Sequence, residues 1–146
     1  MRHKLLLLCL VLLSSCQNNS PYIEIEQDYN SIDYPPSFIE WNDLFNKDSD
    51  DYYIYVFSYD CYYCNQIKRK MICFYDQSRF PVYFCEYKKD IPINHNTEIT
   101  VGESDINNVF IRGTPTLIYV KEKKITFNVA GKAEVSEMIN LQLKNE

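Results

Sequence analysis

The sequence predicts an α/β fold in which a central mixed sheet of four to five strands is flanked by helices. Tyr52 to Ser58 is an aromatic and β-branched run of strand length, and its lack of polar alternation marks a central strand buried on both faces. Behind it, Ile67, Met71 and Phe74, joined by Tyr75, lay an apolar stripe along a helix, and Pro81 to Tyr87 returns as a strand. A helix between two strands makes a parallel, right-handed βαβ unit their simplest pairing. The third observation lies nearer the C-terminus. Thr116 to Val120 and Lys124 to Val129 flank Lys121-Glu122-Lys123 as a hairpin, and Ala133 to Leu143 forms a last helix packing Val135, Met138, Ile139 and Leu143.

The 146 residues suit one domain, and an apolar fraction of 46% with only three glycines is globular rather than disordered or fibrous. The opening residues read separately. Arg2 and Lys4 precede an apolar run from Leu5 to Leu13 that ends in Ser14-Ser15-Cys16, the three-part layout of a secretory signal over residues 1–15. The run is too short to span a bilayer stably. Leu13 to Cys16 resembles the lipobox of bacterial lipoproteins. That resemblance implies that Cys16 is lipidated and becomes the N-terminus of a chain held outside the cytoplasm on a bacterial membrane. The alternative is an incidental cysteine before an ordinary cleavage site.

Residues 16–36 then form the lipidated N-terminus and a polar tether, with Tyr22 to Glu26 a possible first strand, and residues 37–146 form the domain. Loss of Arg2 and Lys4 leaves 13 basic residues against 20 acidic ones, a net charge near −7. Nothing in that balance points to nucleic acid.

Within the domain, Ser37-Phe38-Ile39-Glu40 has the form of a capping box, and Phe38, Trp41, Leu44 and Phe45 recur at helical spacing, predicting a helix of about ten residues. Lys47 to Asp51 is a charged turn and residues 88–103 are irregular. Ser104 can cap a short helix through Phe110.

The chemistry lies at Cys61-Tyr62-Tyr63-Cys64. A thiol at a helix N-terminus is held as the reactive thiolate by unpaired N–H groups and the positive end of the helix dipole. Cys61 occupies that place. Cys64 is one turn further and in phase with Ile67 and Met71, so it is expected to be less exposed and to resolve a mixed disulfide carried on Cys61.

The strand, the Cys-x-x-Cys pair, the helix behind it and the later Arg112-Gly113-Thr114-Pro115-Thr116 together resemble the thioredoxin family over roughly residues 37–143. The resemblance implies a thiol–disulfide oxidoreductase with Cys61 and Cys64 as catalytic pair and no cofactor beyond the dithiol. Its partners would be disulfide- or thiol-containing proteins and a redox partner that resets the pair. It also implies that Pro115 is cis and faces the dithiol, that the Thr114 backbone pairs with a bound substrate chain, and that Gly131 stands just before the final helix.

The chain departs from thioredoxins in three ways. Asp60 precedes the first cysteine, two tyrosines lie between the sulfurs, and Tyr55 replaces the buried acid six residues before Cys61. Asp60 opposes a Cys61 thiolate while Lys68 and the helix terminus favour it, so oxidase and reductase both stay open.

Other readings remain beside this one. The Cys61–Cys64 pair could be a structural staple in a non-catalytic binding or assembly module, although so short a ring gains little by loop closure. A zinc site from Cys61, Cys64, Cys73 and Cys85 has four ligands but no second close pair. Cys73 and Cys85 could bridge each other. His95, in the polar loop, reads as solvated, and so do Lys68, Arg69 and Lys70 on the outer side of the dithiol helix.

Overall fold

A computed structural model describes residues 33–35 and 37–145. Cys16, the leader and the possible strand Tyr22 to Glu26 lie outside the described residues.

The core is a four-stranded mixed sheet built from β1 (Asp51–Phe57), β2 (Val82–Glu86), β3 (Thr116–Lys121) and β4 (Lys124–Ala130) in the order β2-β1-β3-β4. β1 pairs parallel with β2 across the helix α1 (Tyr62–Gln77), as the βαβ reading expects, and antiparallel with β3. The β3–β4 hairpin turns through Glu122 and Lys123, both at positive φ. That is the backbone of a two-residue turn whose twist matches the strands it joins. α2 (Lys132–Asn145) closes the chain.

The alternation of β1 divides the core into two clusters. Tyr53, Tyr55 and Phe57 point to the face covered by α1 and α2, where they meet Cys64, Ile67, Met71, Phe74, Val135 and Ile139. Tyr52, Ile54 and Val56 point to the other face and meet Trp41, Leu44, Cys85, Val109 and Ile111. Every β1 residue after Asp51 is buried, so the absence of polar alternation in the sequence reports burial on both sides. Both α-helices therefore pack on one face, while irregular chain with short 3₁₀ turns covers the other.

Two expected helices are 3₁₀ turns instead. The segment after Ser37 holds only Trp41–Asp43, because Ser37 and Ile39 are committed to the sheet. Phe84 donates its N–H to the Ser37 carbonyl, and Ile39 donates to the Phe84 carbonyl, giving a parallel bridge between Phe38 and Phe84 at the outer side of β2. The Ser37 hydroxyl, expected as a cap, bonds the Tyr75 hydroxyl at 3.1 Å. The Ser104–Phe110 helix is likewise reduced to Ile106–Asn108, capped by the Asp105 side chain through the Asn107 N–H.

The opposite edge is also occupied. Gly102 donates to the Ile125 carbonyl, and Ile125 donates to the Glu103 carbonyl. The Thr97 hydroxyl donates to the carbonyl of Asn128. Among the described residues, no helix is long and apolar enough to cross a membrane.

Candidate functional site

β1 ends at Phe57 and delivers the chain to the sheet's end, where Ser58 to Asp60 turn it into α1. Cys61 donates its N–H to the Ser58 carbonyl at 3.1 Å. Its φ of −80° and ψ of 110° are extended, so Cys61 is the N-cap of α1. A cap side chain accepts from the first free N–H groups of its helix, and here the acceptor is sulfur: the Cys64 N–H donates to Cys61 Sγ at 3.1 Å.

Cys61 and Cys64 form a disulfide with Cα atoms 5.2 Å apart, inside the usual range. Cys64 is fully buried and Cys61 half-buried, the difference in exposure that the helical phase predicts. A sulfur that accepts an amide N–H at a helix start has its anion stabilised before any partner arrives.

A second strand of chain closes over the pair. The Thr114–Pro115 bond is cis, and the Thr114 carbonyl oxygen lies 3.5 Å from Cys61 Sγ. Thr116 holds this turn by donating its hydroxyl to the Gly113 carbonyl at 2.6 Å. Gly131, at φ +109°, donates its N–H to the Pro115 carbonyl at 2.8 Å and accepts the Val135 N–H at 3.0 Å. It thereby ties the proline segment to the first turn of α2. Cys61, Cys64, Thr114 and Pro115 are thus one neighbourhood, although 53 residues separate Cys61 from Thr114.

The two intervening residues point outward. Tyr62 is 69% and Tyr63 54% exposed, and their rings meet edge to face with centroids 5.5 Å apart. Tyr59 and Asp60 are exposed beside them.

Beneath the dithiol the sequence reading needs correction. Lys68, assigned to the solvated side of α1, is only 5% exposed, while Arg69 is exposed as expected and Lys70 is half-buried, donating to Asn140 at 3.2 Å. The reason is helical phase: Lys68 lies four residues after Cys64 and three before Met71, on the stripe that faces the core.

Its ammonium stands 4.7 Å from the ring centroid of Tyr34. Tyr34, within the stretch read as tether, is buried against Phe57 at 4.2 Å and Phe84 at 5.2 Å between ring centroids. Sequence reasoning missed it. Its only signal was an aromatic residue just before Pro35-Pro36 in a polar stretch.

Tyr55 is fully buried below the same ring. The hydroxyls of Tyr34 and Tyr55 are buried and interact with each other, and among the described residues no other group bonds them. Burial pushes the Tyr34 phenol up to about 12 and raises that of Tyr55 further. Both phenols are therefore neutral in the physiological range.

The remaining cysteines stand apart from the site. Cys85 is buried in β2, its thiol pushed up to about 12 by burial, and no bridge joins it to Cys73. Among the described residues, no three His, Cys, Asp or Glu side chains are placed to hold a metal ion, so the four-cysteine zinc arrangement does not form. His95 is exposed in the loop before Glu98.

No protein-family model matches the sequence, and no curated protein matches it. Solved structures do. Thioredoxin f2 of Chlamydomonas reinhardtii superposes with a TM-score of 0.52 at 12% identity, covering 75% of this chain and 94% of that one. Mitochondrial thioredoxin 3 of Saccharomyces cerevisiae, in its oxidized form, gives 0.48 at 14% identity over 82% of this chain and 100% of its own. The thioredoxin of Aeropyrum pernix gives 0.46 at 20% identity over 66% and 75%. The match to thioredoxin f2 spans nearly that whole protein, and with the sheet order and the helix that begins at the dithiol it establishes that this chain has the thioredoxin fold.

Proposed function

We propose that this chain is a thiol–disulfide oxidoreductase working outside the cytoplasm, anchored to a bacterial membrane by lipid on Cys16. The observation that carries the activity is the disulfide at the start of α1. Its half-buried member, Cys61, already accepts the Cys64 N–H, and its buried member, Cys64, sits one turn behind.

In the reducing direction the Cys61 thiolate attacks a substrate disulfide, forming a mixed disulfide and releasing one substrate thiolate. Cys64 then attacks Cys61 Sγ, the intramolecular bond forms, and the second substrate thiolate leaves. The oxidising direction is the reverse. In this reading the exposed Tyr62 and Tyr63 meet an arriving substrate chain and the Thr114 backbone pairs with it, which the 3.5 Å approach of the Thr114 carbonyl to Cys61 Sγ supports. The two sulfurs supply all the redox chemistry, and a dithiol or disulfide partner resets them.

Purified protein should catalyse reduction of insulin disulfides or oxidation of a reduced peptide, and Cys64→Ser should accumulate a covalent complex through Cys61. Equal exchange by wild type, Cys61→Ser and Cys64→Ser would refute the activity. For the anchor, support comes from the leader pattern ending at Cys16. Cys16→Ser should abolish labelling by a radioactive fatty acid and release the protein from membranes, and unchanged labelling would reject lipid at this residue.

A further inference from the structure

Lys68 is a lysine with only 5% of its surface exposed. It makes no ion pair with a carboxylate among the described residues, and its ammonium lies over the Tyr34 ring. Removing an ammonium from water costs several kcal/mol unless an opposite charge compensates, and a single ring face supplies only part of that.

The titratable groups packed around it narrow the choice of partner. Tyr34 comes from the N-terminal segment and Tyr55 from β1, both neutral because burial raises their phenols. Tyr59 and Asp60 come from the loop before the dithiol and are exposed. Tyr75, two turns further along α1, is hydrogen-bonded to Ser37. β3 and α2 bring Leu117, Val135 and Ile139 to this cluster, none of which titrates. Asp33, beside Tyr34, is exposed, so among the described residues the cysteine pair is left. Cys64 precedes Lys68 by one helical turn on the same buried stripe, a spacing that puts their Cβ atoms roughly 5–6 Å apart.

We infer that the Lys68 ammonium is the built-in counter-ion of the Cys64 thiolate, an anion that exists only while the Cys61–Cys64 bond is open. The inference rests on the exchange reading of the dithiol. When a partner thiolate attacks Cys61 Sγ, a partner–Cys61 bond forms, the Cys61–Cys64 bond breaks, and its electron pair leaves on Cys64 Sγ. A second partner thiolate then displaces Cys61, so the partner dithiol becomes a disulfide and this pair a dithiol.

In the opposite direction Cys64 must be a thiolate to resolve the mixed disulfide. Both directions pass through the same buried anion beside Lys68. The Tyr34 ring covers the ammonium and Lys68 is only 5% exposed, so little water screens its field at the sulfur. Lys68 acts through Cys64 and is a positioning residue.

The test is stopped-flow reaction of the reduced full chain with dithionitrobenzoate, with Cys9, Cys16, Cys73 and Cys85 replaced by alanine so that Cys61 and Cys64 are its two thiols. The first chromophore is released when Cys61 forms a mixed disulfide, the second when the Cys64 thiolate attacks it. In Lys68→Met the second phase should slow about tenfold at neutral pH, the equivalent of one unit in the Cys64 titration, and should regain the wild-type rate in alkali. Lys68→Arg should retain the wild-type profile. Lys68→Gln supplies the same readout should the methionine variant not fold.

A second phase whose pH profile matches wild type, or one slowed equally at every pH, would overturn the inference. Failure of wild-type protein to exchange with insulin would instead count against the exchange reading, because the dithionitrobenzoate phases report Lys68 without any protein substrate.

Discussion

The carbonyl oxygen of Thr114 lies 3.5 Å from Cys61 Sγ, on a segment that also contains Pro115, so the Cys61 sulfur stands between an acceptor on one side and the Cys64 N–H donor on the other. The acceptor suits a protonated thiol and the donor suits the anion.

This arrangement predicts the order in which the reduced protein is alkylated. Cys61, half-buried at the helix start, should react first. Cys64 is fully buried, and Cys85 is both buried and held protonated. Iodoacetamide labelling followed by peptide mass mapping reads the order directly. Modification of Cys85 ahead of Cys61 would contradict it.

Alkali should unfold the protein from a defined side. Burial raises Tyr34, Tyr52 and Cys85 to about 12, from ordinary values of 10.0 for the phenols and 9.0 for the thiol. The unfolded chain therefore releases these protons first. The stability they represent is complete below the unfolded values and is lost as pH climbs toward about 12. Urea unfolding across that window should show falling stability. Tyr52→Phe should make the decline shallower, while costing ~1 kcal/mol at neutral pH because the Leu44 carbonyl loses the Tyr52 hydroxyl.

Gly131 should tolerate no side chain without loss. At φ +109° an L-residue is strained, and a Cβ there would also meet Glu134 Oε2 at 2.5 Å. Gly131→Ala should lower stability by ~1–3 kcal/mol, the usual cost of a disfavoured backbone conformation. The Glu134→Ala background should not restore it, since the carboxylate is flexible and the backbone is not. Thermal unfolding of the single and double variants decides the matter: full recovery in the double variant would place the cost in the clash.

The legible parts of this fold were those that depend on one residue's own periodicity. The run Tyr52 to Ser58 showed a doubly buried strand, and the stripe through Ile67 and Met71 showed the helix behind the dithiol, because each pattern reflects a whole face. Ser37 to Glu40 misled for a physical reason. A capping box and a sheet-edge bridge ask for the same small polar residue followed by apolar ones, and the unsatisfied backbone groups of Phe84 outbid the cap.

The site was legible as a pair of sulfurs and a proline, since Cys61, Cys64 and Pro115 are short motifs. Its underside was not. A lysine is expected in water, and only the Cys64–Lys68–Met71 phase signalled otherwise. The ring that covers Lys68, Tyr34, is 34 residues away in sequence, so no local pattern could show that the two meet.

Both outer edges of the sheet are already claimed, β2 by the Ser37–Ile39 segment and β4 by the loop around Gly102. A domain that captures other chains covalently holds them close for as long as each mixed disulfide lasts. With open edges, every such tether would invite the captured polypeptide to add itself as another strand, and a transient bond would harden into an aggregate. The backbone contacts at Phe84 and Ile125 occupy part of that template on each edge.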